Sequence, residues 1–317
     1  MSLLSVRHLT VSFGAVDAVA GISFDLDRGR VLCVVGESGS GKTVAALAVP
    51  RLLPAPARIT GRVLFDGEDL TAAAERRLRD IRGRRIGVVF QDPASALNPV
   101  LRIGDQVDEA LRLHDRATTR RQARSRTLAL LELVGVTDPQ RRAEQYPHQW
   151  SGGMRQRALI AIALANDPDL VIADEPTAAL DATVQAQVLR VLADARADRG
   201  CAVLLITHDL GVVADLADDV VVMYAGRIVE ARPASALFTD RQHPYTRTLL
   251  DSRPVWAERV ERLRSTPGSL PDPRHPPAGC AFHPRCVEAD ARCAAERPVL
   301  LEVAAGHRTA CHHRGDR

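Results

Sequence analysis

The stretch GESGSGKT at residues 36–43 has residue types and a spacing suited to holding a chain of phosphates. Gly36, Gly41, Lys42 and Thr43 match the pattern G-x-x-x-x-G-K-[ST], between an apolar run and a run of helix-forming residues. Glycines let successive backbone N–H groups face one phosphate, and the start of the following helix adds a favourable dipole. The pattern predicts a nucleoside triphosphate site, and a Gly/Ser-rich turn that matches by accident is the alternative.

Lys42 is the only lysine among the 42 Lys and Arg residues of the chain. Its compact ammonium on a flexible stem can reach between the β- and γ-phosphates, whereas the planar fork of arginine is larger and matched to paired oxygens. Thr43 can place its hydroxyl on Mg²⁺. We therefore interpret the single lysine as a residue retained for its shape.

The stretch LVIADEP at 170–176 could supply the metal-side carboxylate and a base. An apolar strand is predicted to end at Asp174, which would hold the Mg²⁺ shell, and Glu175 would orient and polarise the attacking water. The alternative is a pair of solvated acidic residues at the end of a strand. Together with the phosphate-binding loop, the two carboxylates predict ATP hydrolysis.

Buried strands are predicted to position these loops. RVLCVVG (30–36), LVIAD (170–174) and CAVLLIT (201–207) are continuous apolar runs typical of strands buried on both faces, and RIGVVFQD (85–92) indicates another. TVAALAV (43–49) predicts the helix after the phosphate-binding loop. These alternating elements indicate a parallel α/β core.

Hairpins and helices complete this prediction. RVLFDGEDL (62–70), with its Asp-Gly turn, and DVVVMYAGRIVEA (219–231) predict hairpins. Between about 100 and 166 the pattern favours helices without strands, including one with Thr caps at its start and Gly135 past its end. Ser151 is a candidate N-cap for a further apolar helix. The core therefore carries an inserted helical block.

The composition argues against two classes of protein. The 42 basic residues face 39 acidic ones, for a net charge of +3, which is too balanced to indicate a nucleic-acid-binding protein. No segment approaches the roughly 18 consecutive apolar residues of a bilayer span. The start, MSLLSVRHLTVSFG, lacks the features of a signal peptide. We expect a cytoplasmic protein that can dock on a membrane complex.

Four of the six cysteines lie in a proline-rich tail. Cys280, Cys286, Cys293 and Cys311 are separated by 5, 6 and 17 residues. Four thiolates suit tetrahedral zinc or an iron–sulfur cluster, and the absence of C-x-x-C pairs favours the cluster. Zinc and free thiols remain alternatives. Nearby histidines are further candidate ligands: His275, His283, His307, His312 and His313.

The stretch WSGGMRQR (150–157) lies just before LVIADEP, and with the upstream loop the chain resembles the ATP-binding subunits of ABC transporters. The resemblance covers about 1–235 and implies an α/β P-loop NTPase fold with a RecA-like parallel-sheet core, an antiparallel β subdomain and a helical subdomain at about 92–166. It implies two domains, the cassette at 1–235 and a small Cys-containing extension at 236–317.

Single residues take roles from this resemblance. Phe13 resembles the aromatic residue that stacks on adenine, and Gln91 in FQDP resembles the glutamine that reaches the metal and the attacking water. His208 in LLITHD resembles the histidine that contacts the γ-phosphate, and Asp181 in AALD resembles the D-loop aspartate. Trp150 departs from the usual leucine and is expected to pack instead of binding phosphate.

The predicted catalytic set is Glu175, His208 and Gln91. The predicted nucleotide-binding set is Phe13, Gly36, Ser38, Gly39, Ser40, Gly41, Lys42, Thr43, Gln91, Ser151, Gly152, Gly153, Asp174 and Asp181. The predicted Mg²⁺ ligands are Thr43, Gln91 and Asp174. Ser151, Gly152 and Gly153 resemble the signature motif, which in this family binds the nucleotide of a second cassette. The resemblance therefore implies a partner cassette, either a second copy or a homologous chain.

Three further stretches resemble the oligopeptide/dipeptide subfamily of ABC importers: FQDPASALNP (90–99), HPYTRTLL (243–250) and GCAFHPRC (279–286). This resemblance implies import of di- or oligopeptides through two transmembrane permease subunits, with an extracytoplasmic binding protein acting indirectly, and favours a [4Fe–4S] cluster at the four cysteines. Nickel chelates, glutathione and oligosaccharides remain alternative cargoes. A soluble ABC ATPase acting on DNA or ribosomes is the alternative from another class of protein. Such proteins usually have two cassettes and often a basic groove, and this sequence indicates neither.

Overall fold

The computed structural model describes residues 2–115, 117–178, 180–251 and 268–314. The strands, in chain order, are β1 (Ser2–Phe13), β2 (Val16–Asp27), β3 (Val31–Val35), β4 (Ala57–Phe65), β5 (Glu68–Asp69), β6 (Ile86–Val89), β7 (Leu170–Asp174), β8 (Ala202–Ile206), β9 (Asp219–Tyr224), β10 (Arg227–Pro233), β11 (Leu301–Ala304) and β12 (His307–Thr309).

The helices are α1 (Lys42–Ala48), α2 (Glu75–Ile81), α3 (Pro93–Ala96), α4 (Ile103–His114), α5 (Arg120–Leu133), α6 (Pro139–Ala143), α7 (Gly152–Leu164), α8 (Ala182–Arg199), α9 (Leu210–Leu216), α10 (Ala234–Leu237), α11 (Pro244–Asp251) and α12 (Ala291–Ala295). Short 3₁₀ turns occupy Pro147–Gln149 and His283–Arg285. Among the described residues, no helix has both the length and the apolar character that crossing a membrane requires.

The chain divides into two compact units. The first unit contains residues 26–31 and 72–206 in addition to the first residues of the chain. The second contains residues 4–25, 32–71 and the chain from 207 onward. The segment after 235 therefore shares a unit with β3 and the phosphate-binding loop. The division into a cassette at 1–235 and an extension at 236–317 stays a prediction.

The first unit has three parallel strands, with β7 between β6 and β8. Every residue of β7 and β8 is buried, as the apolar runs predict. In the register, Val89 faces Ala173, and Asp174 faces Ile206. The carboxyl ends of these strands therefore lie at one edge, where the loops after them can hold functional side chains.

The helical block lies within the first unit. From α3 to α7 the described residues contain helices and turns and no strand. The capping residues follow the prediction, since Thr119 is the N-cap of α5 and its hydroxyl accepts from the Gln122 N–H, while the Gln122 side chain accepts from the Thr119 N–H. The fold class of the sequence prediction, α/β with an inserted helical block, is confirmed.

The second unit has parallel and antiparallel pairs. β3 is parallel to β9, with Leu32 facing Asp219, and β9 is antiparallel to β10. β10 also pairs with β12, which forms a hairpin with β11, so the tail adds two strands that the sequence pattern does not indicate. The other sheet has the order β2-β1-β4-β5, and the predicted Asp66-Gly67 turn joins its last two strands with positive φ at both residues.

Candidate nucleotide-binding site

The phosphate-binding loop runs from the end of β3 to the start of α1, the context that the motif requires. Lys42 is only 6% exposed. Its ammonium donates hydrogen bonds to the carbonyl oxygens of Gly36 and Glu37, both at 2.8 Å. The cation is therefore held inside the loop at the first residue of the helix.

Two glycines of the motif are required by the backbone. Gly36 has φ +151°, and a Cβ there would lie 2.2 Å from the carbonyl oxygen of Met223. Gly41 has φ +98°, and a Cβ there would lie 2.5 Å from the carbonyl oxygen of Ala18. Any side chain at either position would collide with backbone and force the loop to move.

The end of β7 carries both predicted carboxylates. Asp174 is 2% exposed, which places its carboxylate at the buried end of the strand. Glu175 follows with φ +46°, a left-handed conformation uncommon for a residue with a side chain, and its N–H donates to the carbonyl of Ile206 at 2.9 Å. Such a conformation costs of order 1–3 kcal/mol and is frequent at functional sites.

Gln91 follows β6, the strand parallel to β7. Its side-chain amide donates to a carboxylate oxygen of Glu175 at 3.3 Å. The structure thus brings together two of the three residues predicted to be catalytic, and Gln91 itself is exposed.

The signature motif begins α7. The hydroxyl of Ser151 accepts from the Met154 N–H at 3.3 Å and caps the helix, as predicted, while Ser151 and Gly152 stay exposed. Gly153 is close to Leu180, since a Cβ there would lie 3.1 Å from its Cδ2. Trp150 is 2% exposed, so it packs as expected.

Asp181 caps the next helix in the first unit. Its carboxylate accepts from the N–H groups of Thr183 and Val184, at 3.1 and 3.0 Å, at the start of α8. Asp181 was predicted from the D-loop resemblance, and the structure shows that it also fixes the beginning of this helix.

Other predicted residues lie in the second unit. Phe13 ends β1, is partly exposed and faces Ala57 across the sheet. His208 is exposed just before α9, whose N-cap is Asp209. Ser38 and Gly39 are at the exposed tip of the loop, while Ser40 is buried and accepts from the Gly226 N–H through its carbonyl.

Three residues outside the predicted set contact the phosphate-binding loop or organise the tail. Arg285 donates to the carboxylate of Glu37, and Tyr245 accepts from the Glu37 N–H. Glu230 is fully buried and accepts from the N–H groups of Gln242 and His243. A charged residue inside a strand with apolar neighbours is the signal that could have indicated Glu230 from sequence. Tyr245 and Arg285 lie in HPYTRTLL and GCAFHPRC, which carry the subfamily resemblance, but neither stretch indicates a contact with Glu37.

The four tail cysteines line one cavity together with His243, Pro244, Phe282, His283, His312 and His313. Burial raises the pKa of the Cys280 thiol, and the neighbouring cysteines Cys293, Cys286 and Cys311 raise it further. The Cys280 N–H donates to the Cys293 carbonyl at 2.8 Å, which ties two of the predicted ligands together. All four cysteines therefore lie around one cavity, although up to 31 positions separate them in the sequence.

The compact ligand group in this region differs from the four-sulfur set. Within the described residues, the group whose ligand atoms all lie within 4.8 Å of one another is Asp290, Cys293 and His313. His307 contacts Glu230 at 2.9 Å, and exposed His275 contacts Asp272 at 3.3 Å, so both are engaged elsewhere. A [4Fe–4S] site is therefore not established by the geometry.

Two protein-family models match parts of the chain. Residues 19–178 match the ABC transporter family, and residues 229–293 match the oligopeptide/dipeptide transporter C-terminal region. These matches, with the loop, the strands and the helical block, define a nucleotide-binding α/β protein of the P-loop class.

Single relatives match over nearly all of the chain. It is 50% identical over 314 residues to the oligopeptide transport ATP-binding protein OppD of Mycobacterium tuberculosis, covering 98% of this chain and 51% of that protein. The chain thus spans about half the length of that relative. It is 48% identical over 316 residues to the probable peptide ABC transporter ATP-binding protein y4tR of Sinorhizobium fredii, covering 98% and 94%.

A solved structure shares the fold. The dimeric post-hydrolysis structure of the ATP-binding cassette MJ0796 bound to ADP and Pi has a TM-score of 0.67 and 27% identity, covering 73% of this chain and 98% of that one. The chain belongs to the ABC transporter family of ATP-binding proteins, in the group with the oligopeptide/dipeptide transporter C-terminal region, and the predicted resemblance is confirmed.

Proposed function

We propose that this chain is the ATP-hydrolysing subunit of a membrane ABC transporter that imports di- or oligopeptides. The single observation that carries the proposal is the presence, in one chain, of a cassette whose Gln91 amide contacts the Glu175 carboxylate and of a tail matching the oligopeptide/dipeptide transporter C-terminal region. The first feature suits ATP hydrolysis, and the second suits peptide transport. Relatives named for peptide transport, at 48 to 50% identity, support the same cargo.

ATP is the proposed substrate of the phosphate-binding loop. Lys42 would exchange its loop carbonyls for the β- and γ-phosphate oxygens, and Ser38, Gly39, Ser40 and Gly41 would present backbone N–H groups. Phe13 is the proposed adenine contact, since a partly exposed aromatic ring can stack on a base.

Mg²⁺ is the proposed metal ion of this reaction. The donor set fits it, because Asp174 offers a carboxylate, Thr43 a hydroxyl and Gln91 an amide oxygen, and hard cations prefer oxygen ligands. Bound Mg²⁺ would neutralise charge that develops on the phosphate oxygens. The assignment of these three residues rests on the family resemblance and on the position of each within its own unit.

Glu175 is the proposed general base. Its carboxylate would accept a proton from the attacking water, and the Gln91 amide would orient the carboxylate and the water. His208 is proposed to contact the γ-phosphate.

The signature motif is proposed to act on the nucleotide of a partner cassette. Ser151 and Gly152 are exposed at the start of a thirteen-residue helix, where a hydroxyl and N–H groups can meet an anion. Closure around two ATP molecules would be a ligand-driven population shift between open and closed dimers. The dimeric form of the related cassette MJ0796 supports this arrangement.

The membrane partners are proposed to be two permease subunits, which would hold this chain at the cytoplasmic face of the membrane. An extracytoplasmic binding protein would deliver the cargo. Cargo specificity would lie in those subunits, so nickel chelates, glutathione and oligosaccharides are the competing cargoes within the same motor.

The four-cysteine cavity is proposed to hold a [4Fe–4S] cluster, with zinc as the alternative. The donor chemistry fits a thiophilic group, since four sulfurs line one cavity. Cys280, Cys286, Cys293 and Cys311 would hold it. Bound there, the cluster would cross-link three segments of a proline-rich tail.

Peptide uptake in cells lacking this gene tests the function. We expect wild-type chain to restore uptake of labelled peptides and Glu175→Gln not to restore it. Salt-sensitive binding to DNA or ribosomes, with uptake unaffected, would instead identify the soluble ABC ATPase alternative.

A further inference from the structure

Glu37 connects the phosphate-binding loop to the C-terminal region through its backbone N–H and its carboxylate. Its backbone N–H donates to the hydroxyl of Tyr245 at 2.7 Å. Its carboxylate accepts from both terminal nitrogens of Arg285, at 3.0 and 3.1 Å. Its carbonyl accepts from the ammonium of Lys42 at 2.8 Å. One residue thus lies between the lysine predicted to grip phosphate and two residues more than two hundred positions away.

These contacts are partly sheltered from water, with the Glu37 side chain 26% exposed. Tyr245 is 0% exposed and Arg285 is 9% exposed. Arg285 also donates to the hydroxyl of Tyr224 at 3.2 Å. The ring of Phe282 packs edge-on against Tyr224 and tilted against Tyr245, with centroids 5.2 and 5.4 Å apart. A bidentate Arg–carboxylate pair in such surroundings is stronger and more rigid than an exposed pair.

The charge of Glu37 is not explained by phosphate binding. The residue occupies a variable position of the motif G-x-x-x-x-G-K-[ST], where no side chain is required. A carboxylate beside a triphosphate would repel it, and that repulsion grows as the surroundings become less polar. Arg285 neutralises this carboxylate by direct pairing. The acidic residue is therefore compatible with an anionic ligand as long as the tail supplies its arginine.

We propose that Arg285 and Tyr245 are positioning residues for ATP binding, acting through Glu37 on the loop that contains Lys42. The proposal rests on the proposed function, since it assumes that this loop binds ATP. Holding the loop in one conformation before the ligand arrives lowers the ordering cost of binding. The C-terminal region then contributes to the affinity of the cassette for nucleotide. This role is separate from the binding of a metal by its cysteines.

Nucleotide affinity tests this role. Isothermal titration of the full chain with the non-hydrolysable analogue AMP-PNP and Mg²⁺ compares wild type with Arg285→Gln and Tyr245→Phe. Loss of a hydrogen bond to a charged group corresponds to roughly tenfold or more in Kd, so we expect at least that for Arg285→Gln and a smaller increase for Tyr245→Phe. The matched control is Arg292→Gln in α12, which changes an exposed pair with Glu296 and is expected to leave Kd unchanged.

Two further readouts separate positioning from a merely structural role. Removing the carboxylate as well, in Glu37→Gln combined with Arg285→Gln, is expected to recover part of the lost affinity, because the unpaired negative charge is gone. In ATP turnover, Arg285→Gln is expected to raise KM and leave kcat within about twofold, since the substitution alters ATP binding by the loop and not the hydrolysis step.

The outcomes distinguish the inference from the proposed function. Unchanged Kd in both Arg285→Gln and Tyr245→Phe, with melting temperatures like wild type, overturns the inference. Equal affinity of Arg285→Gln and the double variant overturns the charge-neutralising part. If wild type and Arg292→Gln fail to bind AMP-PNP, the proposed function itself is wrong. Tyr245→Phe keeps the test available if Arg285→Gln does not fold, because it removes a single oxygen atom.

Discussion

The side-chain nitrogen of Gln91 lies 3.3 Å from a carboxylate oxygen of Glu175, although 84 positions separate the two residues in the chain. Adjacent parallel strands cause this proximity, because β6 and β7 end at the same edge with Val89 facing Ala173. The amide occupies a place from which it can orient a water molecule near the carboxylate. Glu175 is held there by a left-handed backbone and by its N–H bond to Ile206.

Replacing Glu175 by Gln is therefore expected to retain ATP binding and to lower ATP turnover by roughly 10²–10⁴. Glutamine has the same shape and can still contact Gln91, yet it cannot accept the proton of the attacking water. Steady-state phosphate release and AMP-PNP titration measure the two effects separately. Glu132→Gln, at an exposed position in α5, is the control at another carboxylate, and normal hydrolysis by Glu175→Gln would reject the role of Glu175.

Replacing Lys42 by Arg is expected to raise the Kd for ATP by about tenfold or more, although the charge is retained. The Lys42 ammonium fits between two loop carbonyls at 2.8 Å and is almost fully buried, which leaves no room for a planar guanidinium. Arg76→Lys, an exchange at an exposed position in α2, is the control for a change of cation type. Equal affinity of Lys42→Arg and wild type would show that charge alone suffices.

Local patterns predict much of this structure because their causes are local. The apolar runs of β7 and β8 reflect burial on both faces, and the Asp66-Gly67 turn and the Thr119–Gln122 capping box are satisfied within a few residues. The motif spacing around Lys42 likewise lies in one loop. For these features the sequence contains the whole physical reason.

Contacts between distant segments were not predictable in the same way. The Glu37–Arg285 pair joins residues 248 positions apart, and the pairing of Glu230 with Thr309 across β10 and β12 joins residues on two distant strands. Glu37 lies within the phosphate-binding motif and Glu230 is a charged residue in an apolar strand, but neither feature identifies the partner. The partner is determined by packing of the whole unit, and a single sequence offers no periodicity from which to read it.

Acidification is expected to destabilise the second unit through His243. Burial lowers the pKa of His243 to about 4, against the opposing attraction of Glu230. The imidazole is neutral in the fold, where its Nδ1 accepts from the Tyr245 N–H at 3.1 Å. Between pH 6.5 and 4 the unfolded chain binds a proton at His243 that the folded chain does not. The contribution of His243 to the free energy of unfolding is therefore fully present above pH 6.5, and roughly 3 kcal/mol of it is lost as the pH falls to 4.

Urea unfolding at pH 7 and at pH 5 measures this effect of His243. In His243→Gln the side-chain carbonyl can still accept from the Tyr245 N–H, and nothing titrates at that position. The variant is therefore expected to have a smaller pH dependence than wild type. The same loss of stability in both proteins between pH 7 and 5 would contradict the assignment to His243.

Removing one tail thiol is expected to remove the metal from the tail. Anaerobically purified wild type should contain iron and sulfide in the proportion of a [4Fe–4S] cluster, and Cys286→Ala should lose both, since three sulfurs hold such a cluster less well. Cys201→Ala is the matched control, because that thiol lies before β8, and burial raises its pKa to about 12. A colourless wild-type protein containing zinc would establish zinc as the bound metal. A metal-free wild-type protein would show that the four cysteines are free thiols.

Mixing two inactive chains tests whether ATP is bound across a pair of cassettes. In a head-to-tail homodimer each site combines Lys42 of one copy with Ser151 of the other, so Lys42→Ala and Ser151→Arg alone each disable both sites. A mixed dimer keeps one intact site, formed by Lys42 of the second variant and Ser151 of the first. Random assortment of equal amounts then restores about one quarter of wild-type ATP turnover. Ala94→Arg, at an exposed position in α3 of the first unit, is the control for added charge, and no recovery on mixing would mean that Ser151 does not act on a second copy's nucleotide.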